Sequence, residues 1–145
     1  MNILIIHNFY KYYGGEDKVV ENEIKLLRSH GYNVDTYFRN NNEIDNFGFI
    51  KKILVLPFAL FNIESVRALK KKRKQNKPDI IHIHNVYPLL SIGIYEILKK
   101  FEIPIVQTFH DHRLALLCPQ GNAYRNEKAC DLCHSGNYIY SVKYK

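Results

Sequence analysis

This sequence contains few cysteines, no long apolar run and little low-complexity sequence. The three cysteines are an odd number, which excludes a framework in which every cysteine is paired in a disulfide. The apolar run at residues 53–61 has nine residues, far fewer than the ~17–25 that a membrane-spanning helix needs. With 46% apolar and 24% charged residues, the composition is that of a globular chain rather than a disordered one.

The segment MNILIIHNFY has no basic region before its apolar residues, so it is unlike a secretory signal. We therefore expect a cytoplasmic protein whose thiols stay reduced. A chain of 145 residues predicts a single domain, 1–145, that is large enough for a hydrophobic core.

The net charge of +7 comes from one short segment. Residues 51–77 contain nine Lys or Arg and one Glu, whereas residues 1–50 contain five basic and seven acidic side chains. Residues 49–77 combine this charge with the apolar run, which predicts a broken helix pair lying peripherally on an anionic membrane surface, at its inner face. A core helix followed by a solvated, lysine-rich face is the alternative. Nucleic acid is not an expected partner, because no nucleic-acid-binding fold is evident.

Strand and helix patterns alternate along the chain. Short apolar or alternating runs predict strands at 2–7, 32–38, 78–85 and 103–110. Helical periodicity predicts helices at 14–31, 48–75 (broken near Pro57 or at Asn62) and 88–101. This order predicts an α/β fold with a Rossmann-like parallel sheet and helices on both faces.

Histidines recur where the predicted strands end. His7, His82, His84 and His110 fall at or near these ends, and His112 follows shortly afterwards. In an open α/β sheet, ligands bind outside the carboxyl ends of the strands. Because His82 and His84 are two residues apart in a strand, they point to the same face. Together the histidines predict a shared polar crevice.

A glycine pair lies between the first strand and the first helix. The segment YYGGED at 12–17 lacks the dinucleotide fingerprint G-x-G-x-x-G. Gly14 and Gly15 nevertheless allow close backbone approach, and the following helix N-terminus offers N–H groups to an anion. A plain flexible turn is the alternative interpretation.

These segments resemble the N-terminal, acceptor-binding half of the family 4 glycosyltransferases, which are retaining GT-B enzymes that use a nucleotide-activated sugar. The similarity rests on ILIIHNFYKYYGGED, PDIIHIHN and PIVQTFHD, with LLCPQG and CDLC close by. It extends from Met1 to about Cys133. The resemblance implies that no cofactor is required for catalysis.

The resemblance also implies roles for residues at the strand ends. Those implied to bind substrate are Gly14, Gly15, Glu16, His84 and Asn85. His110 and Asp111 are implied to lie beside the reacting sugar, where His110 orients the donor rather than acting as a nucleophile. No nucleophilic triad and no hydrolase-type carboxylate pair is present in the sequence.

By resemblance, the expected function is that of the acceptor-side domain of a retaining glycosyltransferase. Its acceptor would be a glycan or a lipid-linked molecule, in cell-surface polysaccharide or glycolipid synthesis. GT-B enzymes carry a second Rossmann-like domain with an acidic E-x7-E-type motif. We therefore expect residues 1–145 to supply only half of an active site. The 145-residue chain would then be a fragment, the product of a truncated gene, or one half of a split enzyme. A non-catalytic Rossmann-like module that binds a ligand or partner is the alternative.

The cysteines follow the last predicted strand with the spacing C-x11-C-x2-C. Cys118, Cys130 and Cys133, with a nearby histidine, fit a structural Cys₃His zinc site. Reduced cysteines that order a loop, or a disulfide, are the alternatives. Structural zinc would also suit a further class, a zinc-containing interaction module. A thioredoxin-type redox pair is not expected, because CDLC does not open a helix after a strand.

Overall fold

The computed structural model describes residues 1–49, 53, 55–110, 124–125 and 128–129. The chain separates into two compact units, Met1–Thr108 and Phe109–Lys145. The described part of the second unit contains a two-stranded antiparallel ribbon, which the sequence did not predict. Its strands are β5 (Tyr124–Arg125) and β6 (Lys128–Ala129).

Four parallel strands form the sheet of the first unit. They are β1 (Asn2–Phe9), β2 (Asn33–Asn40), β3 (Ile80–Ile83) and β4 (Ile105–Gln107). Their order is β2-β1-β3-β4, so β1 and β3 each lie between two partners. Parallel neighbours need crossover connections, and helices supply them here. The predicted Rossmann-like α/β fold is thereby confirmed.

The helices whose bounds the structure describes are α1 (Gly15–Ser29), α2 (Val55–Leu60), α3 (Ile63–Asn76) and α4 (Ile94–Lys99). A 3-10 helix at Asn41–Asn46 follows β2. Among the described residues, no helix is both long and apolar enough to cross a membrane.

Side chains of β1 alternate between two packed faces of the sheet. Ile3 and Ile5 pack with Val20 of α1 on one face, called here the α1 face. Leu4 and Ile6 join a larger apolar cluster with α3 and α4 on the other, the α3/α4 face. Because successive strand residues point to opposite sides, this alternation places helices on both faces, as predicted.

Asn62 separates α2 from α3, one of the two predicted break points. Its side-chain oxygen accepts hydrogen bonds from the N–H groups of Glu64 and Ser65, at 2.9 and 3.3 Å. This is N-terminal capping, which satisfies donors that the first helical turn cannot pair. Pro57, the other candidate, lies early in α2, where a missing N–H costs little.

The predicted helix at 88–101 is wrong in its first half, because α4 begins only at Ile94. The preceding residues bind the α2–α3 junction instead. The Ser91 hydroxyl accepts a hydrogen bond from the Asn62 N–H at 3.1 Å, and the Gly93 N–H donates to the Leu60 carbonyl at 2.8 Å. A Cβ on Gly93 would lie 2.7 Å from that same carbonyl oxygen, so only glycine fits there.

Candidate functional site

Three of the predicted histidines meet on the α1 face, near the carboxyl ends of β1 and β3. The rings of His82 and His84 have centroids 4.3 Å apart, and the His7 ring lies 6.1 Å from that of His84. The shared face expected for His82 and His84 is confirmed. His110 belongs to the second unit, and its place beside these histidines stays a prediction.

Asp17 connects the glycine pair to the end of β1. Its Oδ1 lies 2.9 Å from Nε2 of His7, and both side chains are fully buried. Its Oδ2 accepts a hydrogen bond from the Gly14 N–H at 2.8 Å. One carboxylate therefore fixes the start of α1 and the orientation of a strand-end histidine.

Glu23 contacts both His82 of β3 and His84, which directly follows the strand. Its Oε1 is 2.5 Å from Nδ1 of His82, and its Oε2 is 3.4 Å from Nε2 of His84. On the other side of the ring, Nε2 of His82 is 2.8 Å from Oγ1 of Thr108. Together His7, Asp17, Glu23, His82 and His84 form what we call the polar cluster.

Sequence reasoning missed both acidic members of the polar cluster. The sequence patterns assign no site role to Asp17 or Glu23. A signal was present, however. Two histidines on one face of a buried strand need polar partners, and α1 is the helix that covers this face. Glu23 lies three residues after buried Val20, beside the stripe of α1 that packs on the sheet.

The glycine pair leaves open space beside its backbone. Gly14 caps α1 in an extended conformation with a φ of −129°, which any residue can adopt. A Cβ on Gly14 would have Tyr12 O at 3.9 Å as its nearest contact among the described residues, and a Cβ on Gly15 would meet none within 4 Å. Neither glycine is therefore required by the packing of the described chain. Glu16 follows in the first turn of α1.

Asn85, predicted to bind substrate, bonds to the backbone of neighbouring strand ends. Its Nδ2 donates to the Asn8 carbonyl at 3.1 Å, and its Oδ1 accepts from the Tyr87 N–H at 3.0 Å. The Asn8 N–H in turn donates to the Asn85 carbonyl at 2.8 Å. Asn85 thus holds the loops after β1 and β3 together, which shapes the edge where the predicted site lies.

Some basic side chains of the segment at 49–77 contact other parts of the protein, and others are exposed to solvent. Lys72 binds Asp35 of β2 at 2.8 Å, and the Arg73 guanidinium lies 4.8 Å from the centroid of the Phe101 ring. Lys70 and Lys74 are exposed. A pocket of about 270 Å³ opens between α3 and α4, and its lining includes all of these cations except Lys72.

Exposed apolar side chains accompany this charge. The large ones in the described part of 49–63 are Phe49, Ile53, Leu60, Phe61 and Ile63, each between 49% and 79% exposed. Scattered single apolar residues on a surface are ordinary, but several in one short stretch are not.

Several predicted site residues lie outside the described part of the chain. These are Asp111, Cys118, Cys130 and Cys133. Their assigned roles in sugar transfer and zinc binding stay predictions.

A parallel α/β sheet with a glycine-led helix and a polar cluster at its carboxyl edge defines a Rossmann-like α/β domain. The family model for Glycosyltransferase Family 4 matches residues 13–134. The chain therefore belongs to Glycosyltransferase Family 4, as the resemblance implied. No curated protein and no solved structure matched the chain.

Proposed function

We propose that the chain is the acceptor-side domain of a retaining glycosyltransferase. The enzyme would transfer a sugar from a nucleotide-sugar donor to a glycan or lipid-linked acceptor, in cell-surface polysaccharide or glycolipid synthesis. Family membership supports the transfer of a sugar. The observation that supports binding of the nucleotide-sugar donor is the open backbone of Gly14 and Gly15 at the start of α1.

The donor diphosphate is the group best suited to this glycine turn. The first turn of a helix has N–H groups without intrahelical partners and carries partial positive charge. Glycines let phosphate oxygens approach this backbone closely. Asp17 accepts a hydrogen bond from the Gly14 N–H and so holds the turn in place. Binding of the diphosphate therefore requires little further ordering of the turn. Glu16 would face the acceptor beside it.

His110 and Asp111 are proposed to act at the reacting sugar. In this proposal His110 orients the donor sugar, while the helix N-terminus stabilises the negative charge that develops on the leaving diphosphate. His84 and Asn85 shape the cleft side of the site. Transfer proceeds with retention of anomeric configuration, without a nucleophilic triad from this chain.

Substituting the glycines tests the diphosphate site. Gly15→Ala should keep the fold, because its Cβ meets no described atom within 4 Å, and should weaken binding of a nucleoside diphosphate about tenfold, the effect of losing one good hydrogen bond. Gly48→Ala is the matched control, since its Cβ also meets no described atom within 4 Å. Equal affinity of parent and Gly15→Ala, measured by NMR titration, would contradict the proposal.

Sugar transfer itself separates the enzyme from the binding-module alternative. The 145-residue chain assayed alone should transfer no sugar from a panel of nucleotide sugars, because the proposed reaction needs a donor-binding partner domain. Addition of such a domain, in one polypeptide or in trans, should restore transfer. Turnover by the 145 residues alone contradicts the half-site proposal. Diphosphate binding without transfer in any combination would favour a non-catalytic ligand-binding module.

We also propose that residues 49–77 contact an anionic membrane surface from the cytoplasmic side, where a lipid-linked acceptor would lie. The exposed apolar residues and the solvated lysines of this segment support the proposal. Each Lys near such a surface contributes ~1 kcal/mol, which salt screens.

Vesicle sedimentation tests this contact. Lys70→Gln/Lys71→Gln should reduce partitioning onto phosphatidylserine vesicles at low salt. The control, Lys18→Gln/Lys25→Gln, makes the same change of charge on exposed lysines of α1, which covers the opposite face of the sheet. Equal partitioning of both double variants would leave the α3 lysines as a solvated helix face.

Structural zinc held by Cys118, Cys130 and Cys133 is a separate proposal, which the spacing of the cysteines supports. Purified protein should then contain zinc, and Cys133→Ser should lower both its zinc content and its stability, because such sites contribute folding energy directly. Metal analysis and thermal unfolding check this. Unchanged stability of a metal-free Cys133→Ser variant would favour reduced cysteines that order a loop.

A further inference from the structure

We propose that Glu23, His82 and His84 form a second metal site, which binds a divalent ion such as Zn²⁺ between α1 and β3. One ligand atom from each residue can be chosen so that all three lie within 4.8 Å of one another. This site is distinct from the three cysteines and does not depend on the proposed transferase activity.

The spacing of the three side chains is close to what an ion would impose. Zinc lies about 2.0–2.2 Å from imidazole nitrogen and carboxylate oxygen in a tetrahedral arrangement, which puts neighbouring ligand atoms roughly 3–3.5 Å apart. Oε2 of Glu23 lies 3.4 Å from Nε2 of His84, and the other carboxylate oxygen, Oε1, lies 2.5 Å from Nδ1 of His82. Opening the shorter distance by about 1 Å would require only a small rotation of Glu23, whose side chain is 24% exposed.

The surroundings of His82 suit a metal ligand. Histidine ligands usually donate their second ring N–H to a fixed oxygen, which sets the tautomer and the ring orientation. Oγ1 of Thr108 lies 2.8 Å from Nε2 of His82 and supplies that oxygen. Because a threonine hydroxyl can donate or accept, it serves both the metal-free pair, with the proton on Nδ1, and the bound form, with the proton on Nε2.

The donor set points to a borderline transition metal. Two imidazoles and one carboxylate suit zinc, cobalt, nickel or iron rather than magnesium or calcium, which prefer oxygen ligands. Three protein ligands leave one position for water, and the exposed parts of Glu23 and His82 provide access from solvent. The ion would join the middle of α1 to the end of β3, so its expected effect is to stabilise the fold around the polar cluster.

Metal titration tests the site in a background without cysteines. In the 145-residue chain carrying Cys118→Ser, Cys130→Ser and Cys133→Ser, one Zn²⁺ should bind and raise the melting temperature. Co²⁺ should give visible absorption bands of a nitrogen–oxygen site. Glu23→Gln and His82→Gln should each weaken binding by more than the ~10–100-fold typical of losing a supporting hydrogen bond, and Thr108→Val by about tenfold.

The matched control is His30→Gln, which removes an exposed histidine at the end of α1. It should bind Zn²⁺ like the parent. Glu23→Gln preserves shape at a partly exposed position, so circular dichroism should show a folded variant. If the parent binds no ion, or if Glu23→Gln and His82→Gln bind as tightly as His30→Gln, the proposal is overturned.

Discussion

The two faces of the sheet differ sharply in chemistry although the same strands build both. Strand β3 sends Ile81 and Ile83 into the apolar cluster of the α3/α4 face. His82 of β3 and His84, which directly follows the strand, point to the α1 face, where Glu23 contacts them. The α3/α4 face carries the larger apolar cluster, with buried Asn62, Ser65 and Ser91 hydrogen-bonded where α2 meets α3, whereas the α1 face combines a smaller apolar cluster with the polar cluster.

This difference assigns separate tasks to the two faces. An apolar cluster stabilises a fold in proportion to the area it removes from water. Buried polar groups add little net stability but fix particular geometries, and they cost much when one partner is lost. We therefore assign stability mainly to the α3/α4 face and ligand chemistry to the α1 face. The following substitutions test that assignment.

The largest loss of stability is expected on the α3/α4 face. Leu98 is fully buried in its cluster, so Leu98→Ala should lower the free energy of unfolding by about 2–5 kcal/mol. Nucleoside diphosphate binding by the folded fraction should not change. Urea denaturation measures the effect, and Leu26→Ala, at an exposed position of α1, should cost less than about 0.5 kcal/mol. Similar costs for the two variants would refute the assignment.

On the α1 face, Asp17→Ala should cost about 1–3 kcal/mol, because it leaves buried His7 and the Gly14 N–H without their shared acceptor. It should also weaken diphosphate binding, which Leu98→Ala should not. Asp17→Asn is the conservative control, since an amide can accept from Gly14 and donate to His7. An Asp17→Ala variant with the parent's stability and binding would remove Asp17 from the account.

Tyr95 of α4 sharpens the contrast at high pH. Burial raises the pKa of Tyr95 to about 12 from 10.0. Because its pKa is raised on folding, protonated Tyr95 stabilises the folded state relative to the ionised form. This stabilisation is fully present below pH ~10 and is lost as the pH rises towards 12. After allowance for partial exposure, Tyr95→Phe should remove about 1–2 kcal/mol of pH dependence in that range. Unfolding curves at several alkaline pH values measure it, and identical curves for parent and variant would contradict the effect.

The smallest effect is expected at Asp35 on β2. Partial burial alone would raise the pKa of Asp35, but hydrogen bonds from Lys72, Asn76 and the Thr36 N–H outweigh it and lower the pKa below 3.8. The resulting stability is present above that value and is lost as the pH falls through the folded-state pKa. Asp35→Asn should cost less than about 1 kcal/mol at pH 7, because the pair with Lys72 is partly exposed. Its cost should shrink as the pH falls through the folded-state pKa of Asp35, and a cost that does not change with pH would exclude the charge as the cause.

Much of this arrangement could be predicted from sequence because period-two patterns are local. The segment IIHIH alone places two histidines on one face and isoleucines on the other. The Gly14–Gly15 turn was likewise found from its position between a strand and a helix. These inferences depend only on neighbouring residues.

Contacts between distant segments could not be predicted in the same way. Glu23 meets His82 across 59 positions of sequence, and the pattern of α1 gives no unique partner for it. The late start of α4 depends on Ser91 and Gly93 contacting the α2–α3 junction. Local helical periodicity at 88–101 cannot show that tertiary hydrogen bonds replace its first turns.

Chemical-shift mapping with a nucleoside diphosphate tests the central claim most directly. Titration of the ¹⁵N-labelled chain should shift the backbone signals of Gly14, Gly15 and Glu16, at the edge where α1 begins. The basic pocket of the α3/α4 face, which contains Lys70 and Arg73, should stay unperturbed. Shifts centred on that pocket, or no shifts at the glycine turn at any concentration, would contradict the assignment of ligand chemistry to the α1 face.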